Sequence, residues 1–381
     1  MADIKRIALI HPDLAAGGGA ENLILWSCEE LSRRGIQITV VSRTFPDPVP
    51  PYITPFYANI GLKVLSWPAT ARRLADMLTG FDAVILHNFP ATLHYGFAAG
   101  RKHVPPALWY CHEPKRLYYG ANAADSDILE IERRKKMRFD EMNTVRLEKR
   151  GAARVARIVG NSVRSALHAS HVYHREAGVV YPGLPERMLA AKPSQKENYF
   201  LYIGRLHEIK NVYAAILGFH AFLAHTKRKD IKLVIVGDGP ESGNVRMLLQ
   251  ALSIADNVDM KGYVPTEKAA GIVDRALAVL NVPRNEPFGL ITLEAWARHT
   301  VPIVAEDAGS AAVAEDGVDA LTVNARNPLA VARAMERIAS NPAFARSLAH
   351  AGHAKLRKSF LIAHHVDGLL SELHSAVGNE R

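Results

Sequence analysis

Two successive series of short apolar runs, with helix-period segments between the runs, constrain this 381-residue chain more than any other feature. The first series occupies residues 7–10, 36–41, 83–86, 107–110 and 158–160. The second occupies 199–203, 233–236, 258–261, 278–280, 303–305 and 320–323. Such runs, bounded by turn residues, fit strands buried on both faces, and intervening helices make neighbouring strands parallel. A chain of this length also exceeds what one hydrophobic core supports. The expected fold is α/β, with two doubly wound Rossmann-like domains facing each other across a cleft: residues 1–182, a linker at 183–198, and 199–360. The linker is read from Pro182-Gly183-Leu184-Pro185 and the aperiodic polar stretch 192–198. Residues 361–381 read as a last helix, with Ile362, Val366, Leu369, Leu370 and Leu373 at helical spacing. Ligand is expected in the cleft, at the carboxyl ends of strands.

The stretch Arg284-Asn285-Glu286-Pro287-Phe288-Gly289-Leu290-Ile291-Thr292-Leu293-Glu294 sets two carboxylates eight residues apart across a strand-to-helix junction. Glu286 falls in the loop and Glu294 in the helix-forming sequence that follows. Eight residues at helical rise cover roughly 12 Å, so the two acids suit opposite ends of an elongated ligand. Between them lie the amides of Phe288, Gly289 and Leu290, at a helix start suited to a diphosphate. Arg205 and Lys210, five residues apart after the first strand of the second domain, suit one anion, Arg205 as a fork and Lys210 as a point charge. In the first domain, Gly17-Gly18-Gly19 leads into a helix and lets backbone approach a phosphate. The dinucleotide fingerprint fails there at Asn22, and fails again after Gly237-Asp238-Gly239 at Ser242, which argues against a nicotinamide cofactor.

The spacing of Glu286 and Glu294 resembles the Glu-x7-Glu motif of retaining glycosyltransferases with the GT-B fold, and the chain resembles glycosyltransferase family 4 nearly end to end. The resemblance implies a donor site in which Gly18, Gly19, Arg205 and Lys210 meet the diphosphate, Glu286 holds the sugar hydroxyls, Glu294 holds the ribose, and Tyr263 lies near the base. It implies that His112, at the end of a buried strand, stands near sugar and acceptor, with Arg116 toward an acceptor phosphate. Catalysis then falls to Glu286, His112, Arg205 and Lys210, with a nucleotide sugar as co-substrate, no cofactor and no metal. His112-Glu113-Pro114 followed by Arg116 and Tyr119 is most similar to mannosyltransferases of polysaccharide assembly, which favours GDP-mannose. The resemblance further suggests that the final helix crosses back to the first domain. The chain departs from the family at Ala308-Gly309-Ser310, where paired glycines are common, and at Ala312, where a glutamate often stands. Two alternatives share the fold or the ligand: a GT-B nucleotide-sugar epimerase, and a non-catalytic glycan-binding protein.

A formal charge of +9 points to an anionic partner. Residues 132–157 hold ten Lys/Arg against four Asp/Glu, starting with Arg133-Arg134-Lys135-Lys136. That run reads as a solvated helix face or as an anionic membrane patch serving a lipid-linked acceptor. Nucleic acid is not expected, since no binding motif accompanies the charge. Cys28 and Cys111 read as buried apolar residues, and the first strand at 4–11 stands where a signal peptide would. A cytoplasmic location is expected, peripheral on the inner membrane face if the patch binds. His168, His171 and His174 read as exposed helix histidines, and Asp125 and Asp127 as a chance Asp-x-Asp.

Overall fold

The computed structural model describes residues 4–60, 67–121, 139–190 and 192–378. The chain forms two units, one from Met1–Gly183 with Ile362–Arg381, the other from Leu184–Leu361. In the first unit a parallel sheet contains β1 (Arg6–Ile10), β2 (Gln37–Ser42), β3 (Thr54–Tyr57), β4 (Ala83–His87), β5 (Ala107–Cys111), β6 (Arg157–Gly160) and β7 (Gly178–Val179). Its order is β3-β2-β1-β4-β5-β6-β7. The apolar runs became the central strands because both faces are covered: every residue of β4 and β5 is buried. Sequence reading misses β3 and β7. The first is an edge strand, half exposed and carrying Pro55, and the second has two residues, so neither leaves an apolar run.

The second unit repeats the plan with β8 (Tyr199–Ile203), β9 (Lys232–Val236), β10 (Val258–Gly262), β11 (Ala278–Asn281), β12 (Val301–Ala305) and β13 (Leu321–Val323). All are parallel, in the order β10-β9-β8-β11-β12-β13. Helix Val212–Thr226 packs so closely on helix Pro328–Ser340 that a Cβ at Gly218 would sit 2.5 Å from a Val331 methyl. Residues 184–198, read as linker, are built into this unit. Leu184 bridges Leu361, the Ala190 amide donates to the Ala297 carbonyl at 2.9 Å, and Lys196 is anchored at two points. These contacts reach backbone far along the chain, which no local periodicity reveals.

Helix Ile362–Gly378 returns to the first unit. Val366, Leu369 and Leu373 are buried with Ile7, Leu9 and Leu31, and Arg157 donates to Glu372 at 2.9 Å. No helix among the described residues is long and apolar enough to cross a membrane. The cations at 133–138 and the pair Asp125 and Asp127 lie outside the described residues. His168 corrects an expectation: it is buried, and burial lowers its pKa to about 4. It shares the inward stripe of helix Val163–Tyr173 with Ser165, Ala169 and Val172, a spacing of three and four that marks a packed face. Cys28 and Cys111 are buried free thiols.

Candidate donor and acceptor sites

In each sheet the strand order reverses at one point, between β1 and β4 and between β8 and β11, and the singled-out loops leave the carboxyl ends of these strands. In the second unit β8 runs into Gly204, whose φ of +158° and position under Gly237 make a tight crossing of loops. A Cβ on Gly237 would lie 1.9 Å from the Gly204 carbonyl oxygen, and one on Gly239 would lie 2.4 Å from that of Leu206. The Gly237-Asp238-Gly239 turn thus supports the Arg205 loop from below. Arg205 itself is exposed. Beyond it a short helical turn, Glu208–Lys210, ends at Asn211 with φ +53°.

The Lys210 loop is tied to the end of β11. Asn211 Nδ2 donates to the Val282 carbonyl at 2.9 Å, the Arg284 amide donates to the Ile209 carbonyl at 2.8 Å, and the Tyr202 hydroxyl donates to the Lys210 carbonyl at 3.1 Å. With both loops held, Lys210 Nζ lies 2.8 and 2.7 Å from the two carboxylate oxygens of Glu286. The Glu286 loop is closed on its other side: its carbonyl accepts from the Gly309 amide at 2.8 Å, and that of Phe288 accepts from Ser310 at 2.9 Å. Phe288 is buried beneath. Gly289 takes φ +95°, with Asn281 Nδ2 2.8 Å from where a Cβ would stand. Asn281, Thr292 and Ser310 form a buried hydrogen-bonded triangle at 2.9, 3.2 and 3.0 Å. Ser310, a departure from the family pattern, is therefore a structural strut of this loop. Leu290 leads into helix Ile291–Ala297, which carries Glu294 in its first turn.

Burial pushes the Glu294 carboxyl up to about 7, against the pull of Lys210. Lys210 thus acts on both acids. The folded value of Glu294 lies above the unfolded value of about 4.3, so the stability it contributes is complete below the unfolded value and is lost as pH rises through the folded one. Glu294→Gln is expected to raise the unfolding midpoint at pH 8 and to converge on wild type only near pH 4, below the unfolded value, read by scanning calorimetry. Tyr263 stands 78% exposed just past β10 and touches none of these groups through a hydrogen bond.

In the first unit β4 ends at His87 and β5 at Cys111, followed by His112. His87 Nδ1 and His112 Nε2 are 3.1 Å apart, around the buried Tyr110 ring. Burial lowers His112 to about 3 and drives His87 well below its ordinary value. Both are neutral at pH 7, one donating to the other, so His112 offers hydrogen bonds to a hydroxyl and no readily titrating proton. Sequence reading missed His87, although its place at the end of an apolar run matches that of His112. Arg116 Nε donates to Glu113 at 2.6 Å. At the glycine loop, Gly18 precedes helix Gly19–Arg33, and its amide donates to Glu21 Oε2 at 2.8 Å. The other Glu21 oxygen meets the buried His11 at 3.1 Å.

Two family models match consecutive stretches of the chain: Glycosyltransferase Family 4 over residues 17–186 and Glycosyl transferases group 1 over residues 186–355. A D-inositol 3-phosphate glycosyltransferase of Mycolicibacterium gilvum is 26% identical, over 98% of this chain and 88% of that protein. The α-1,3/1,6-mannosyltransferase ALG2 of Mus musculus is 23% identical, over 93% and 92%. Six further curated relatives match in part, the chain spanning 13% to 42% of their length. Among solved structures, sucrose-phosphate synthase from Thermosynechococcus elongatus superposes with a TM-score of 0.76 at 19% identity, covering 98% of this chain and 100% of that one. Anabaena HepE in complex with UDP-glucose gives 0.73 at 16%, covering 97% and 99%. The fold is GT-B. The chain belongs to glycosyltransferase family 4.

Proposed function

We propose that this protein transfers a hexose from a nucleoside diphosphate sugar to a hydroxyl of a glycan or lipid-linked glycan, with retention of anomeric configuration. The observation that carries the reading is Lys210, paired with Glu286 and acting through its charge on Glu294, at the reversal point of the second sheet. Arg205 and Lys210 take the diphosphate, Glu286 the sugar hydroxyls and Glu294 the ribose, with the amides of Gly289 and Leu290 beside the phosphates. His112 holds a sugar or acceptor hydroxyl, and Arg116 faces the acceptor.

The bond from the anomeric carbon to the phosphate oxygen breaks, and its electron pair leaves with the nucleotide. The acceptor oxygen forms the new bond on the same face and passes its proton to that phosphate oxygen. Charge grows on the leaving phosphate, so fixed cations there stabilise the transition state more than the ground state. A covalent glycosyl route would need a carboxylate free to attack the anomeric carbon. In this reading Glu286 is occupied by the sugar hydroxyls, which favours the front-face route. GDP-mannose is the preferred donor in this reading, supported by the His112-Glu113-Pro114 pattern and the full-length likeness to a mannosyltransferase.

The test is product analysis by proton NMR with a panel of nucleotide sugars and glycan acceptors. A glycoside of retained configuration is expected. Conversion of the donor without acceptor would instead indicate an epimerase. Because Arg205 and Lys210 supply the charge, excess chelator should leave the initial rate within about twofold of the untreated enzyme. Loss of activity restored by magnesium or manganese would contradict this.

A further inference from the structure

We propose that the second unit carries a separate site for an amphipathic phosphate monoester, in a cavity of about 1020 Å³ at the amino-terminal end of its sheet. The cavity is bounded by residues 193–196 and Asn198, the residues leading into β11 and β12, and the helices Pro328–Ser340 and Pro342–Ser359. The Arg205 and Glu286 loops leave the other end of the same strands. A five-residue strand spans about 17 Å, so an occupant here lies apart from the donor. Ile231, Leu277, Val301 and Ile338 supply apolar walls.

The charged side chains lining the cavity are all of one sign: Lys196, Arg228 and Arg346. Arg228 is forked onto Asp230 at 2.7 and 2.8 Å and is thereby neutralised. Lys196 donates to the Asp274 carbonyl and to Thr300 Oγ1, each at 2.7 Å. An ammonium has three protons, and the third has no partner among the described residues. Arg346, on the exposed start of helix Pro342–Ser359, has no ion-pair partner among them either.

His299 is the independent sign of a ligand. It lines the cavity, is 8% exposed, takes φ +50°, and stacks on His353 at 3.7 Å, yet its Nε2 is buried with no hydrogen-bond partner among the described residues. Leaving such a group unpaired is unfavourable. A phosphate monoester brings oxygens for the cations and an apolar tail for the walls, and its monoanion, half populated at a pH of about 6, also brings a P–OH for the ring nitrogen.

The experiment is isothermal titration calorimetry on the full chain with octyl phosphate, octanol and inorganic phosphate. Octyl phosphate should bind once per chain, and the other two at least about tenfold more weakly. Arg346→Glu, a surface change, and His299→Asn, which tolerates the same φ, should each weaken octyl phosphate about tenfold or more. Ala345→Trp should fill the cavity and abolish binding, with circular dichroism confirming folding. Lys210→Ala should leave binding unchanged. Absence of binding, equal binding of octanol or inorganic phosphate, or undiminished binding by Arg346→Glu and Ala345→Trp would overturn the proposal.

Discussion

Replacing Lys210 with alanine is expected to lower the rate of sugar transfer by about a hundredfold or more, and replacing Glu286 with glutamine to do the same. The Lys210 side chain is 39% exposed and that of Glu286 14% exposed, and an ion pair of this kind contributes about 1 kcal/mol or less to stability. Its loss therefore leaves the fold intact. In the proposed reaction the same ammonium faces growing phosphate charge in the transition state, and one fixed donor there is worth about 2.7–4 kcal/mol. Large loss of turnover with an unchanged unfolding midpoint is the expected pair of results. Arg205→Ala, at an exposed side chain, should behave alike. Near-native turnover in both cation variants would remove the phosphate assignment.

The second large effect concerns the loop crossing that holds Arg205. Gly237→Ala is expected to destabilise the protein by about 3 kcal/mol or more, because a φ of +131° disfavours any side chain and the new Cβ would sit 1.9 Å from backbone. The neighbouring oxygen belongs to Gly204 and cannot swing aside like a side chain. Relief has to come from moving β8's exit, and Arg205 with it. Urea unfolding would read the loss, and Gly271→Ala, where a Cβ meets nothing within 4 Å, is the matched control. Equal stability of the two variants would contradict the crossing.

Much of this arrangement was legible in the sequence, for reasons of range. Each central strand is a local apolar run, so Tyr199–Ile203 is read directly, and Glu286, Gly289 and Glu294 lie on one continuous stretch. What escaped depends on distant partners. Nothing local announces that Lys210 closes on Glu286, 76 residues away, or that Ser310 completes a triangle with Asn281 and Thr292. The three-residue recurrence of His168, His171 and His174 masks the packed stripe that His168 shares with Ser165, Ala169 and Val172. The half-exposed edge strand β3 carries too little apolar pattern to be seen without its neighbour β2.

The most direct test of the central claim is thermal unfolding of the wild-type protein and of Lys210→Ala and Glu286→Gln against a panel of UDP- and GDP-sugars. A donor present at about a hundred times its dissociation constant stabilises the fold by roughly 2.7 kcal/mol. At least one nucleotide sugar should raise the wild-type midpoint, with the rise reduced in both variants. If no nucleotide sugar shifts the wild-type midpoint, or if the variants shift as fully as wild type, then Lys210 and Glu286 do not hold a donor and the assignment of this site is wrong.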